Sequence, residues 1–497
     1  MKKAIIFLLT AIVVLSGAFS LPVSALYNDD VTVLNSKRER VPYKIQTPRY
    51  YIASMDTHDV LFAKNETEHC APASLTKIIT AIVALENCKD LTTEIEVPEK
   101  CIRQLAGTES SLGGLKAGEK VTMKDLLACL LIASANEAAT TIADYIGGGS
   151  YEKFIAMMNE TAARLGCKDS HFVNAHGLDE DGHYSCAKDM AAFAEYALTF
   201  PVFQELTALT EYKLPQTNLQ KPRKVRTTNF LMLSGYREYY LPEAKGVKTG
   251  STSNAGKCVV TVAAKDGYRY ICAMMGAPFY DYDKDGYNEN FAFMDAKAIF
   301  NWTFKYIRLK TVAPTSHIVK VAAVKYASGV DHVRLVPKED YMALVPDSVT
   351  DGSVLIEPVK GSLPEKLEAP LKKGEVVCDA AVMHAGVEIM RIKLVAAEDV
   401  HRNLFLFVFG KLGEFTHTAV FKVFLALALL AAVGLLVLQA RDSANRRRQK
   451  VQMVHYRNST QNRGAQNRNS TQNRNSAQNR NSAQNRSAGQ NRGTRKK

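Results

Sequence analysis

No Cys-x-x-Cys pair occurs among the nine cysteines of this 497-residue chain, which argues against a zinc cluster or a thioredoxin-like redox site. The odd count also argues against a complete disulfide framework, because at least one thiol is left over. Cysteines scattered in this way suit buried apolar positions or a reducing habitat. Cys70 stands close to Ser74 in sequence, yet nothing around it marks a nucleophile. Evenly spread positive charge is missing as well. The formal net charge is +13, but Arg441 to Lys497 alone hold fifteen Lys and Arg against one Asp. The remainder is roughly neutral and carries no electrostatic footprint for nucleic acid, which is therefore not an expected partner.

What is present divides the chain into segments. Lys2 and Lys3 precede an apolar run from Ala4 to about Leu15, and Val23-Ser24-Ala25 offers small residues for cleavage. Residues 1–25 read as an export signal; an uncleaved anchor is the competing reading, disfavoured because the run is short for a full span. Residues 26–305 mix strand and helix patterns in the manner of an α/β or α+β globule. Within them, Tyr50 to Ala53 with Val60 to Ala63, and Cys258 to Ala264 with Tyr268 to Met275, carry hairpin signals. Residues 306–400 alternate short Val- and Ile-rich runs with Gly, Pro and Asp turns, the pattern of a small all-β domain. After a juxtamembrane segment, 401–418, comes an apolar stretch, 419–440, continuous from Val423 to Leu438 and long enough to cross a bilayer. Arg441, Arg446, Arg447, Arg448 and Lys450 follow directly, which by the positive-inside rule places them in the cytoplasm and the preceding domains outside. An interfacial helix is the alternative. The tail, 441–497, repeats near-copies of Asn-Arg-Asn-Ser-Ala-Gln and has too few apolar residues to bury a core, so disorder is expected.

Three short motifs in the first domain carry chemistry. In Pro72-Ala73-Ser74-Leu75-Thr76-Lys77, the apolar residues Leu75, Ile78, Ile79 and Ile82 recur at helical spacing, so Ser74 and Lys77 share one face at the start of a buried helix. A hydroxyl needs an adjacent base to become a nucleophile, and a lysine serves if desolvation lowers its pKa. Ser134-Ala135-Asn136 follows the apolar helical stretch Leu126 to Ile132. There a second hydroxyl can relay a proton and an amide can orient a substrate carbonyl, although a helix-to-helix turn with polar caps reads equally well for the tripeptide alone. Lys248-Thr249-Gly250-Ser251-Thr252 precedes the second hairpin. In an edge strand Lys248 and Gly250 point opposite to Thr249 and Ser251, Gly250 lets a backbone approach, and the cation and hydroxyls suit a terminal carboxylate.

Together and in this order, about 60 and then about 115 residues apart, the three motifs match the set shared by penicillin-binding proteins and class A β-lactamases. Residues from about Tyr50 to Phe304 resemble the D-alanyl-D-alanine carboxypeptidases of the low-molecular-mass penicillin-binding protein family. Phe172 to Asp179, Gly182 to Ser185, Thr228 to Leu231 and Gly246 to Gly250 are similar to further signatures of that family. The β-rich segment resembles its second domain, most clearly at Ala369 to Gly374. The resemblance implies a penicillin-binding/β-lactamase-like transpeptidase fold of α/β (α+β) class, followed by an all-β domain. It also implies a peptidoglycan stem peptide as substrate, β-lactams as inhibitors and no metal or organic cofactor. It assigns Ser74 as nucleophile, Lys77 as its base and Ser134 as proton relay. Asn136, Lys248, Thr249, Gly250, Ser251 and Thr252 are then substrate-binding, with the backbone N–H groups of Ser74 and Ser251 as oxyanion hole. His176 and His183 fall in a structural loop. No Glu-x-x-Leu-Asn segment follows Ser134, as a class A β-lactamase would need. Several relatives' arginine after Ala277 is missing, which leaves the carboxylate contacts open. Asp281 to Gly286 begins like a calcium loop but has Ala292 where a closing Glu belongs, so a polar surface loop is expected.

Overall fold

The computed structural model describes residues 31–34, 40–108, 110–282, 284 and 286–464. The expected export signal at 1–25 and the tail beyond Gly464 lie outside them. The described chain forms two compact units, one ending at His401 and one beginning at Arg402.

At the centre of the first unit is an antiparallel five-stranded sheet. Its strands are β1 (Arg49–Ser54), β2 (Val60–Lys64), β3 (Ala244–Thr252), β4 (Gly256–Lys265) and β5 (Tyr268–Ala277), in the order β2-β1-β5-β4-β3. β4 and β5 pair through Lys265 and Tyr268 across Asp266-Gly267. Both turn residues have positive φ, 52° and 85°, the mirror-image turn whose twist suits a two-residue hairpin. Side chains along β4 alternate between two cores. Cys258, Val260 and Val262 face the helical core, while Val259 and Ala263 face the core on the other side. The helical core holds α1 (Lys77–Asn87), α2 (Met123–Leu131), α3 (Asn136–Ile146) and α4 (Ala187–Ala197). The other face is covered by α5 (Phe291–Tyr306), which buries Phe291, Ile299 and Phe300 there, each contributing about 1.5–3 kcal/mol.

Beyond α5 the chain turns to β structure. β6 (Ile307–Ala313) pairs with β9 (Tyr341–Pro346). β7 (Lys320–Lys325), β8 (His332–Pro337), β10 (Val354–Pro358), β11 (Leu367–Glu368), β12 (Val376–His384) and β13 (Val387–Ala396) form one sheet in the order β10-β12-β13-β8-β7-β11. Its inward residues, Val333, Leu335, Ala380, Val382 and Leu394 among them, build a separate core. The expected fold class, an α/β domain followed by a small all-β domain, is what the chain adopts.

All nine cysteines are free, and eight are buried. Burial pushes the thiols of Cys101, Cys186 and Cys258 up to about 11 or 12, so they act as small apolar residues.

The second unit consists of α6 (Leu404–Thr416) and α7 (Ala419–Gly464). Asn403 caps α6 by accepting a hydrogen bond from Leu406 N–H at 3.1 Å. α7 contains a segment, Ala419–Lys450, long and apolar enough to cross a membrane. The helix does not stop where the apolar run stops at Ala440. It continues through the basic residues, because Arg, Lys and Gln are good helix formers that need no apolar partner.

Candidate active site

Ser74 lies at the junction of the sheet and the helical layer. It sits in a short 3-10 turn, Ala73–Thr76, that leads directly into α1 at Lys77. The sequence pattern predicts an ordinary helix start; the tighter turn brings residues three apart into line, which aims Ser74 and Lys77 at each other more directly. Ala73, just before Ser74, has φ of 49°. A residue with a Cβ held in that region costs about 1–3 kcal/mol, so the surroundings must enforce it.

Two contacts do so. A hydrogen-bond chain runs from Val173 N–H to His183 Nδ1 (3.1 Å), from His183 Nε2 to Thr76 Oγ1 (2.8 Å), and from Thr76 O–H to the Ala73 carbonyl (2.8 Å). It requires His183 neutral with its proton on Nε2, in keeping with burial that pulls this imidazole down to about 4. Gly177 packs against the same carbonyl from another side. A Cβ there would lie 1.9 Å from Ala73 O, and its φ of 88° disfavours other residues too.

Lys77 is completely buried, and its Nζ has three oxygen neighbours: Ser74 Oγ at 2.8 Å, Asn136 Oδ1 at 2.6 Å and the His176 carbonyl at 2.6 Å. A carbonyl and an amide oxygen only accept. A neutral amine therefore spends its two N–H groups on Asn136 and His176 and turns its lone pair to the Ser74 hydroxyl. Burial, with the nearby Lys248 charge adding to it, holds Lys77 well below the ordinary lysine range, and Glu137 opposes the effect more weakly. Desolvation alone brings Lys248 down to about 7.

Asn136 opens α3, but its side chain does not cap it. Ala135 occupies the N-cap position without a side-chain bond, and Asn136 reaches Lys77 with Oδ1 and donates from Nδ2 to Ser110 Oγ at 2.9 Å. α2, which leads into the turn before α3, opens on a capping box in which Thr122 and Asp125 bind each other's backbone N–H. Ser134, in that turn, is buried with φ of 61°, a second strained residue beside the site. Among the described residues no hydrogen bond joins its hydroxyl to Lys77 or Ser74.

The third motif lies on β3, the edge of the sheet, where one row of backbone groups is left without a neighbouring strand. Gly250 allows β3 to pass Ser74 closely: a Cβ would fall 3.1 Å from Pro72 O and 3.2 Å from Ser74 N. Lys248 points inward and donates to Thr249 O at 2.9 Å, while Thr249 Oγ1 bonds Thr228 Oγ1. Ser251 Oγ accepts from Lys257 Nζ at 3.0 Å. The Thr252 hydroxyl is committed to Asp179 Oδ1 at 2.8 Å, which ties the end of β3 to the loop after Gly177.

Motif reading thus finds the residues whose chemistry is visible in their type. It places His183, Gly177 and Asp179 in a structural loop without the atoms they support, and it misses Ser110 and the cation Lys257. The Ala-His-Gly-Leu-Asp run around Gly177 is the one sequence signal for that loop, and it carries no hint of which atom it supports.

A serine, a buried lysine and an edge strand so arranged are compatible with acyl transfer on more than one scaffold, and similarity to known proteins separates them. Residues 35–279 match the family model described as D-alanyl-D-alanine carboxypeptidase, and residues 309–402 that described as penicillin-binding protein 5, C-terminal domain. The D-alanyl-D-alanine carboxypeptidase DacC of Escherichia coli is 30% identical over 367 residues, covering 72% of this chain and 84% of that protein. The chain belongs to the D-alanyl-D-alanine carboxypeptidase family. DacF of Bacillus subtilis is 28% identical over 73% of this chain and 88% of its own. The fold agrees with solved members. Penicillin-binding protein 5 of Haemophilus influenzae superposes with a TM-score of 0.52 at 24% identity, covering 73% of this chain and 99% of that one. The carboxypeptidase DacD of Francisella tularensis gives 0.55 at 23% identity, over 72% and 95%. As a member of this family the protein is a serine-type D-alanyl-D-alanine carboxypeptidase, a hydrolase of the penicillin-binding class acting on peptidoglycan.

Proposed function

We propose that this carboxypeptidase removes the terminal D-alanine of peptidoglycan stem peptides through an acyl-enzyme on Ser74, with Lys77 as the base. The observation that carries the assignment is the 2.8 Å contact between Ser74 Oγ and an amine with no exposure to water. Neutral Lys77 takes the hydroxyl proton as Oγ attacks the penultimate carbonyl. The N–H groups of Ser74 and Ser251 stabilise the oxyanion that forms. Ser134 passes the proton to the departing D-alanine once substrate orders its hydroxyl, and Asn136 holds the peptide while it fixes Lys77. The peptide lies along β3, with Lys248 and Thr249 near its terminal carboxylate and Gly250 beneath its backbone. The Thr252 hydroxyl already has its partner in Asp179, so its contribution is to hold β3 in place. Water then releases the acyl group. β-Lactams acylate the same serine and leave slowly.

The test is D-alanine release from diacetyl-Lys-D-Ala-D-Ala by the wild type and by Ser74→Ala. Release by the wild type alone is expected. Equal release by both would remove Ser74 from the mechanism.

The reading extends to location. Residues 1–25 direct export, the catalytic domain to 305 and the β domain to 400 lie outside, residues 419–440 of α7 cross the membrane, and the basic residues from Arg441 stay inside. It rests on the length and apolarity of the segment and on the arginines at one end only. Protease added to intact spheroplasts is expected to digest the catalytic domain and spare a tag at the C-terminus; the opposite pattern would reverse the topology.

A further inference from the structure

The strand that receives the substrate offers two lysines, and they differ in what they can do. Lys248 is buried, it donates to a backbone carbonyl, and desolvation pulls it down to about 7. Lys257 lies on β4, in register with Ser251 on β3, and so on the same face of the sheet as Ser251 and Thr249. Its Nζ donates to Ser251 Oγ at 3.0 Å and stands 4.3 Å from the centroid of the Phe279 ring. Both contacts hold the ammonium in place without neutralising it. Lys257 and Phe279 line a groove of about 440 Å³ that begins at Ser251. The other cation of that groove, Arg49, is paired with Glu68. Among the described residues no carboxylate pairs with Lys257. The groove therefore presents one uncompensated, anchored positive charge beside the backbone group assigned to the oxyanion hole.

We propose that Lys257, held by Ser251 and Phe279, joins Lys248 and Thr249 around the terminal carboxylate and selects substrates in which that carboxylate is free. This rests on the carboxypeptidase reading above. The scissile carbonyl and the terminal carboxylate of the substrate belong to adjacent residues, at most about 3.5 Å of chain apart. A carbonyl seated at Ser251 N–H thus brings the carboxylate within reach of a cation on the Ser251 side chain. Lys257 makes no bond to a reacting atom; its role is recognition.

The experiment compares diacetyl-Lys-D-Ala-D-Ala with its C-terminal amide, in the wild type, Lys257→Ala and Lys257→Arg. Lys257→Ala is expected to lower kcat/KM for the carboxylate peptide by about 10–100-fold, the scale of one charge-assisted hydrogen bond. It should leave the amide nearly unchanged, so that discrimination collapses, and Lys257→Arg should restore most of it. Equal loss on both peptides would make Lys257 merely structural, and undiminished discrimination would assign the carboxylate elsewhere; either overturns the proposal. Acylation by benzylpenicillin and by its methyl ester provides a readout that needs no peptide turnover. If the wild type releases no D-alanine, the carboxypeptidase reading fails by itself, and the acid-to-ester ratio in Lys257→Ala still decides the role of Lys257.

Discussion

Lys77→Gln is expected to slow acylation of Ser74 by about 10²–10⁴-fold, the usual contribution of a positioned general base. Stopped-flow labelling with a fluorescent penicillin measures it directly. Gln keeps hydrogen-bonding capacity toward Asn136 and His176 but has no basic lone pair. Lys77→Arg is expected to fail as badly, because a guanidinium does not give up its proton. An arginine variant that retained most of the rate would show that position 77 supplies charge and not basicity. Lys77 works neutral, so kcat/KM falls as pH drops through its depressed pKa. Burial lowers this value most; the charge of Lys248 on β3 pushes it down further, and Glu137 on α3 pushes it up. His176 and His183 are held neutral by burial, at about 3 and 4, and do not titrate in the working range. Removing the Lys248 charge as Lys248→Met is therefore expected to move the acid limb to higher pH.

Gly177→Ala should be about as damaging by a purely mechanical route. The new Cβ would lie 1.9 Å from Ala73 O and 2.5 Å from Ala73 C, both backbone atoms that cannot swing aside. Ala73 would have to leave its left-handed conformation or the loop after Asn174 would have to retreat. Either change moves Ser74. A loss of about 3 kcal/mol or more in unfolding free energy is expected, and at least about 10²-fold in acylation rate, since displacements near 1 Å cost that much in a positioned site. Gly182→Ala is the control. It too has positive φ, 80°, but its nearest neighbours are side-chain atoms at 3.8 Å and 3.9 Å, so it should cost only about 1–2 kcal/mol of backbone strain. Chemical denaturation of both variants checks this, and equal losses would mean that backbone strain, and not the clash on Ala73, is what matters at Gly177.

Much of the site could be read from local spacing. Ser74 and Lys77 are three residues apart on a patterned helix, Ser134 and Asn136 flank a helix start, and Lys248 to Ser251 alternate on a strand. Each relation lies within a few residues, where helix and strand geometry fixes which side chains share a face. The same holds for the β4–β5 hairpin, whose Asp-Gly turn sits between a Val-rich run and a second apolar run that opens on tyrosines, and for the apolar stretch of α7. The all-β domain was legible from its short alternating runs, although its strand order was not.

Residue order alone thus sets the chemistry available and the local frame of each motif. Which groups meet is a matter of packing: Lys77 is dry and bound to Asn136, His183 and Gly177 together hold Ala73 in a strained conformation, Thr252 is committed to Asp179, and Lys257 stands free of any described carboxylate. These contacts join residues roughly 60 to 110 positions apart, and Lys257 reaches Ser251 across a strand pair. No periodicity records such pairings, because they follow from the packing of sheet against helices, and the burial that depresses the lysines exists only once that packing has formed.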